Sequence, residues 1–97
     1  MSIYVSTGDA RRNYDVLDTV FALAAHEEGF FKNANPEKAF EGVTKQLIEK
    51  CKKLGGDAVL NCQFEYRVAA KSSFFVGFKD KQVIEIFAYG TAVKFTG

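Results

Sequence analysis

The chain has little of what most binding and catalytic chemistries draw on. Among its 97 residues there are one histidine and two cysteines, and 13 basic side chains are offset by 12 acidic ones. Near-zero net charge removes the positive field that non-specific binding to nucleic acid or to an anionic membrane requires, so neither is expected as a partner. No apolar run approaches the roughly 20 residues that span a bilayer. The opening "MSIYVSTGDARRNYD" lacks the basic, apolar, small-residue order of a secretory signal, and the expected location is the cytoplasm. Ten residues separate the two cysteines, which is neither a CxxC pair nor the spacing of a disulfide framework, so a reducing compartment keeps both as thiols. The segment "TGDARRNYD" places Thr7, Gly8, Arg11 and Arg12 in a loop that could hold a phosphate. It has neither the lysine-serine end of a P-loop nor the three-glycine spacing of a dinucleotide turn, so a solvated or inter-subunit loop is expected, with Asp9, Asp15 and Asp18 neutralising the arginines. Nothing supplies a nucleophile, a base and an oxyanion site together, and an enzyme is not expected.

What is present describes a single domain over residues 1–97. A helix is predicted from Pro36 to Leu54. Asn35 is placed to cap it and Pro36 occupies the first helical position, where the missing N–H costs nothing. Phe40, Val43, Leu47, Cys51 and Leu54 recur at spacings of three and four and form one apolar face. Lys50, Lys52 and Lys53 gather at the negative end of the helix dipole, and Gly55 is free to adopt the left-handed conformation that stops it.

Beyond the helix, Ala58, Leu60, Cys62, Phe64 and Tyr66 alternate with Val59, Asn61, Gln63, Glu65 and Arg67, the two-residue period of a strand with one buried face. A second strand is predicted from Val83 to Phe95, with Gly90 marking a bulge or a close backbone approach. Phe87, Tyr89 and Phe95 fall on the opposite face from Ile84, Ile86 and Ala88, so this strand must be covered on both sides. Tyr14–Gly29 suits either a helix or a strand by periodicity alone. As a strand it gives a two-layer β-α-β-β unit in which a right-handed crossover makes two strands parallel and the third lies antiparallel between them. "IYVST" adds a short edge strand. Phe74, Phe75 and Phe78 are too apolar for a solvated loop; they either extend the hairpin as extra paired residues or stand off as a short aromatic ribbon suited to docking a protein partner.

Three stretches resemble one family. Leu54-Gly55-Gly56-Asp57-Ala58-Val59, then Phe64-Glu65-Tyr66, then Gly90-Thr91-Ala92-Val93 are similar to the signature of the YbjQ-like proteins, which carry a heavy-metal-binding label. Tyr14 through Ala25 is similar to the family's opening strand. The connection from His26 to Asn35 is shorter than the family's, and the hairpin from Val68 to Gln82 is longer and more aromatic. The resemblance implies a dodecin-like α+β subunit, with one helix on a mainly antiparallel sheet, that assembles into a homo-oligomeric ring, a pentamer, with no established reaction.

Two candidate sites follow. Cys62 and Cys51 read first as small core hydrophobes. Alternatively they face each other across the helix-sheet interface and bind a soft divalent or monovalent ion such as Zn²⁺ or Cu⁺, with His26 as third ligand. His26, Glu27 and Glu28 read otherwise as a solvated turn. The second site is a ligand cavity at subunit boundaries lined by Tyr66, Phe87 and Tyr89. The expected function is a homo-oligomeric binding protein for a metal ion or small ligand, and its rival is a structural or adaptor oligomer that docks a partner through Phe74–Phe78.

Overall fold

A computed structural model describes residues 2–27, 36–71 and 81–97. The chain runs β1 (Tyr4–Val5), β2 (Tyr14–Glu27), α1 (Pro36–Lys53), β3 (Ala58–Lys71) and β4 (Lys81–Phe95). The strands form one sheet in the order β1-β3-β4-β2. β4 is antiparallel to both of its neighbours, which makes β2 and β3 parallel to each other, and β1 adds parallel to β3 at Ala58 and Val59. This is the α+β topology expected for the β-α-β-β unit with a short edge strand. Asn35, Glu28 and the Phe74–Phe78 hairpin lie outside the described residues.

The helix stops where its residues require. Gly55 has φ 79°, and the amides of Gly55 and Gly56 donate to the carbonyls of Lys52 and Cys51, both at 3.0 Å. These two bonds form a Schellman motif, satisfying carbonyls that the end of a helix otherwise leaves bare. On the buried face stand Ala39, Val43, Leu47 and Cys51. The expected stripe is corrected at its ends: Leu54 is exposed past the last turn, and Phe40 is half-exposed, with its ring 5.6 Å from that of Phe64.

The alternation in β3 is also corrected, by a bulge. Leu60 pairs with Thr91 but Gln63 pairs with Tyr89, so Asn61 and Cys62 together face Gly90 alone. Asn61 absorbs the extra residue at φ 53°, a left-handed conformation that asparagine tolerates better than most side chains. Beyond the bulge the parity inverts. Val59 joins Cys62 and Phe64 beneath the helix, whereas Ala58 and Leu60 turn to the other face and cluster with Val93.

Two apolar clusters result, one on each side of the sheet. The larger contains Val20, Ala22, Val43, Leu47, Cys51, Val59, Cys62, Ile86, Ala88 and Ala92 and lies beneath α1. The smaller, Ala58, Leu60 and Val93, is covered by Ala10, Tyr14 and Phe95. A strap preceding β2 completes that cover. Tyr4 stacks on Phe95 at 6.2 Å, the Arg12 guanidinium sits 4.0 Å over the same ring, and Asp9 accepts a 2.7 Å hydrogen bond from the Tyr14 hydroxyl. Asp9 and Arg12 therefore serve the strap through Tyr14 and Phe95, which corrects the expected pairing of these charges with one another.

Candidate functional site

Cys51 is held on the last helical turn and Cys62 in the β3 bulge, and both are fully buried. The Cys51 thiol donates to the Ala58 carbonyl at 3.4 Å, and the Cys62 Sγ lies 4.0 Å from the carbonyl of Gln63. Burial pushes both thiols above their ordinary range, because removing water penalises the thiolate. A raised thiol is a weaker nucleophile at neutral pH, because less of it is thiolate.

His26 does not join them. It belongs to β2, as does Glu27, so the turn expected at these residues is corrected to paired strand. His26 pairs with Ile84, whereas Cys62 sits across from Gly90. Six residues of β4 separate those positions, about 20 Å at 3.3 Å per residue. The side chain of His26 lies outside the described residues, but its backbone position already prevents the trio from sharing one ion within a chain. Among the described residues no three His, Cys, Asp or Glu side chains could hold a metal together, and no polar or charged side chain is buried.

The second candidate site lies on the sheet face away from α1. Strand parity places Phe21 and Leu23 of β2 beside Tyr89 and Phe87 of β4. The Phe21 and Phe87 rings are 6.4 Å apart and those of Phe87 and Tyr89 are 5.8 Å apart. All four side chains are exposed, Leu23 at 62% and Phe21 at 53%. Next to them Arg67 donates to Glu85 at 2.7 Å across β3 and β4. Leu23, Glu65, Tyr66, Arg67, Glu85 and Phe87 border an open concavity of about 420 Å³. Phe87 and Tyr89 are thus neighbours on this face, and of the two Phe87 borders the concavity. Tyr66 borders the concavity but pairs with Ile86, in the helix-facing register, so it is not on the same sheet face as those two. Sequence reasoning missed Phe21 and Leu23, whose signal was the parity of β2 once that segment is taken as a strand.

The glycines and the aspartate of the signature have architectural uses. Gly55 and Gly56 terminate the helix. The Asp57 carboxylate accepts the amide of Phe95 at 2.8 Å while its own amide donates to the Val93 carbonyl at 2.7 Å, fastening the start of β3 to the end of β4. Gly90 faces the bulge. A family model described as "Putative heavy-metal-binding" matches residues 15–96. The chain belongs to this YbjQ-like family. A YbjQ-like subunit is also what the fold resembles: a protein of unknown function of the DUF74 family from Pediococcus pentosaceus ATCC 25745 superposes with a TM-score of 0.73 at 17% identity, covering 95% of this chain and 96% of that one. At that identity the likeness speaks for the fold alone. No curated protein matches the chain. In this chain the glycines and Asp57 of the YbjQ-like signature serve helix stop, strand clasp and bulge, while its Glu65 and Tyr66 border the concavity.

Proposed function

We propose that this chain is a non-catalytic, homo-oligomeric binding protein whose subunits meet through the uncovered sheet face and hold a small, largely apolar ligand where those faces join. The observation that carries this reading is the cluster of Phe21, Leu23, Phe87 and Tyr89, four large apolar side chains standing exposed together on one sheet face. A contiguous patch of this kind marks an interaction surface. The chain's own strap covers the adjoining cluster of Ala58, Leu60 and Val93 but leaves these four bare. A second copy is the occupant that matches, because it presents the same aromatic face. A ring, with five subunits as the family resemblance implies, and a cytoplasmic setting in which both thiols stay reduced, belong to this reading. No described helix is long and apolar enough to cross a membrane.

Native mass spectrometry under reducing conditions tests it. The expected result is a closed oligomer of fixed subunit number. Phe87→Glu places a charge in the middle of the patch and is expected to yield a folded monomer, verified by an unchanged circular dichroism spectrum. A wild-type protein that remains monomeric at tens of micromolar overturns the proposal.

A further inference from the structure

We propose that this chain, although it belongs to a family labelled for heavy metals, binds no metal ion through its cysteines, and that Cys51 and Cys62 are small apolar spacers matched to Gly56 and Gly90. The matching is geometric. A Cβ at Gly56 would stand 2.6 Å from Cys51 Sγ, and a Cβ at Gly90 would stand 3.2 Å from both Cα and Cβ of Cys62 and 2.7 Å from Val59 Cγ1. Each cysteine is therefore packed directly against a glycine backbone. The sulfur of Cys51 fills the space there, and its thiol hydrogen goes to the Ala58 carbonyl.

The donor set fails on count and on charge. Structural zinc takes four ligands at about 2.0–2.3 Å, but the described core buries no polar or charged side chain to add to two thiolates. The lone histidine starts about 20 Å away along β4. Copper(I) can accept two thiolates alone, but that unit carries a net negative charge, and an uncompensated charge in an apolar core is strongly disfavoured. Burial also raises both thiols, which increases the cost of the deprotonation that metal ligation requires. Assembly does not repair this, because both sulfurs lie beneath the helix within one subunit, fully shielded from any partner's side chains.

The inference is independent of how the subunits associate, so its test is separate from the oligomer measurement. The reduced, folded protein is titrated with Cd²⁺ and with Zn²⁺ under anaerobic conditions, following thiolate-to-Cd²⁺ charge-transfer absorption, and bound metal is measured after gel filtration. The expected result is no thiolate band and less than 0.1 equivalent of metal retained, on the order of ordinary surface background, with the same retention in Cys51→Ala/Cys62→Ala. Retained metal without a thiolate band, unchanged in that variant, also supports the proposal, since the donors then lie elsewhere. A thiolate band that saturates at a fixed ratio of metal to chain overturns it. That readout needs only the wild-type protein, so a variant that misfolds cannot obscure the answer.

Discussion

Cys51 Sγ and Gly56 are in such close approach that a single added methyl would lie 2.6 Å from the sulfur and 3.1 Å from the Val93 carbonyl oxygen. The pair joins the end of α1 to the sheet at the point where the chain turns from one into the other. Gly56→Ala is expected to destabilise the fold by about 1–3 kcal/mol, the usual cost of overpacking a close-packed site. Cys51→Ala should recover part of that loss, because it removes the nearest of the three atoms in the way, the others being the Val93 carbonyl oxygen and Leu17 Cδ1. A double-mutant cycle by urea denaturation measures the coupling, and additive effects would show that the two residues do not share a contact.

At the β3 bulge, the expected ordering of variants is set by backbone conformation. Asn61→Gly should be neutral or stabilising within about 1 kcal/mol, because glycine occupies the left-handed region at no steric cost. Asn61→Val should lose about 1–3 kcal/mol, since a β-branched side chain is strained at φ 53°. Gly90→Ala meets Val59 and Cys62 across the strand pair and should be at least as damaging as Asn61→Val. Equilibrium unfolding of the three variants ranks them.

Asp57→Ala removes the acceptor for the Phe95 amide and should cost about 1–2 kcal/mol, the range for a partly buried hydrogen bond to a charged group. Hydrogen exchange locates the effect: the Phe95 amide should lose protection, while amides in the middle of α1 should follow only the global change.

The thiols predict the direction of a pH dependence. In the folded chain both are raised by burial, so the native state retains protons that the unfolded state has released once the pH exceeds the ordinary cysteine value of about 8.5. Stability is full below that value and falls as the pH rises through the interval up to the folded values, with a limiting slope of about 1.4 kcal/mol per pH unit for each thiol. Cys51→Ala/Cys62→Ala should lessen this alkaline loss. At pH 8, a thiol reagent should label neither cysteine in the native protein and both after unfolding.

The parts of this fold that were legible in the sequence are those set by local chemistry. Pro36 at the helix start, three lysines and Gly55 at its end, and the apolar spacing between them all act within a few residues of one another, and the helix runs Pro36–Lys53. Tyr14–Gly29 is ambiguous because its apolar residues satisfy both periods, and the family resemblance over Tyr14–Ala25 rather than periodicity assigns it to β. Gly90 marks the place of the bulge in the sequence, but the extra residue lies in β3 opposite it, at Asn61, where strict alternation offers a simpler pattern. His26 and Glu27 read as a turn because strand pairing at the distal end of β2 depends on β4, far away in sequence. The aromatic face was legible from the parity of "IFAY", but its β2 half required the pairing register.

Helix side chains reach across one edge of the sheet. β2 is an outermost strand, and Gln46 Nε2 donates to the Leu23 carbonyl at 3.0 Å while Lys50 Nζ donates to that of Phe21. Acceptors that an incoming strand would need are thereby occupied by helix side chains, one of them a cation. Edge strands are natural templates for runaway strand addition. Gln46 and Lys50 therefore act as stoppers as well as fasteners, and Gln46→Ala/Lys50→Ala should show itself less in folding free energy than in a shorter lag before fibril formation on prolonged incubation, followed by thioflavin fluorescence.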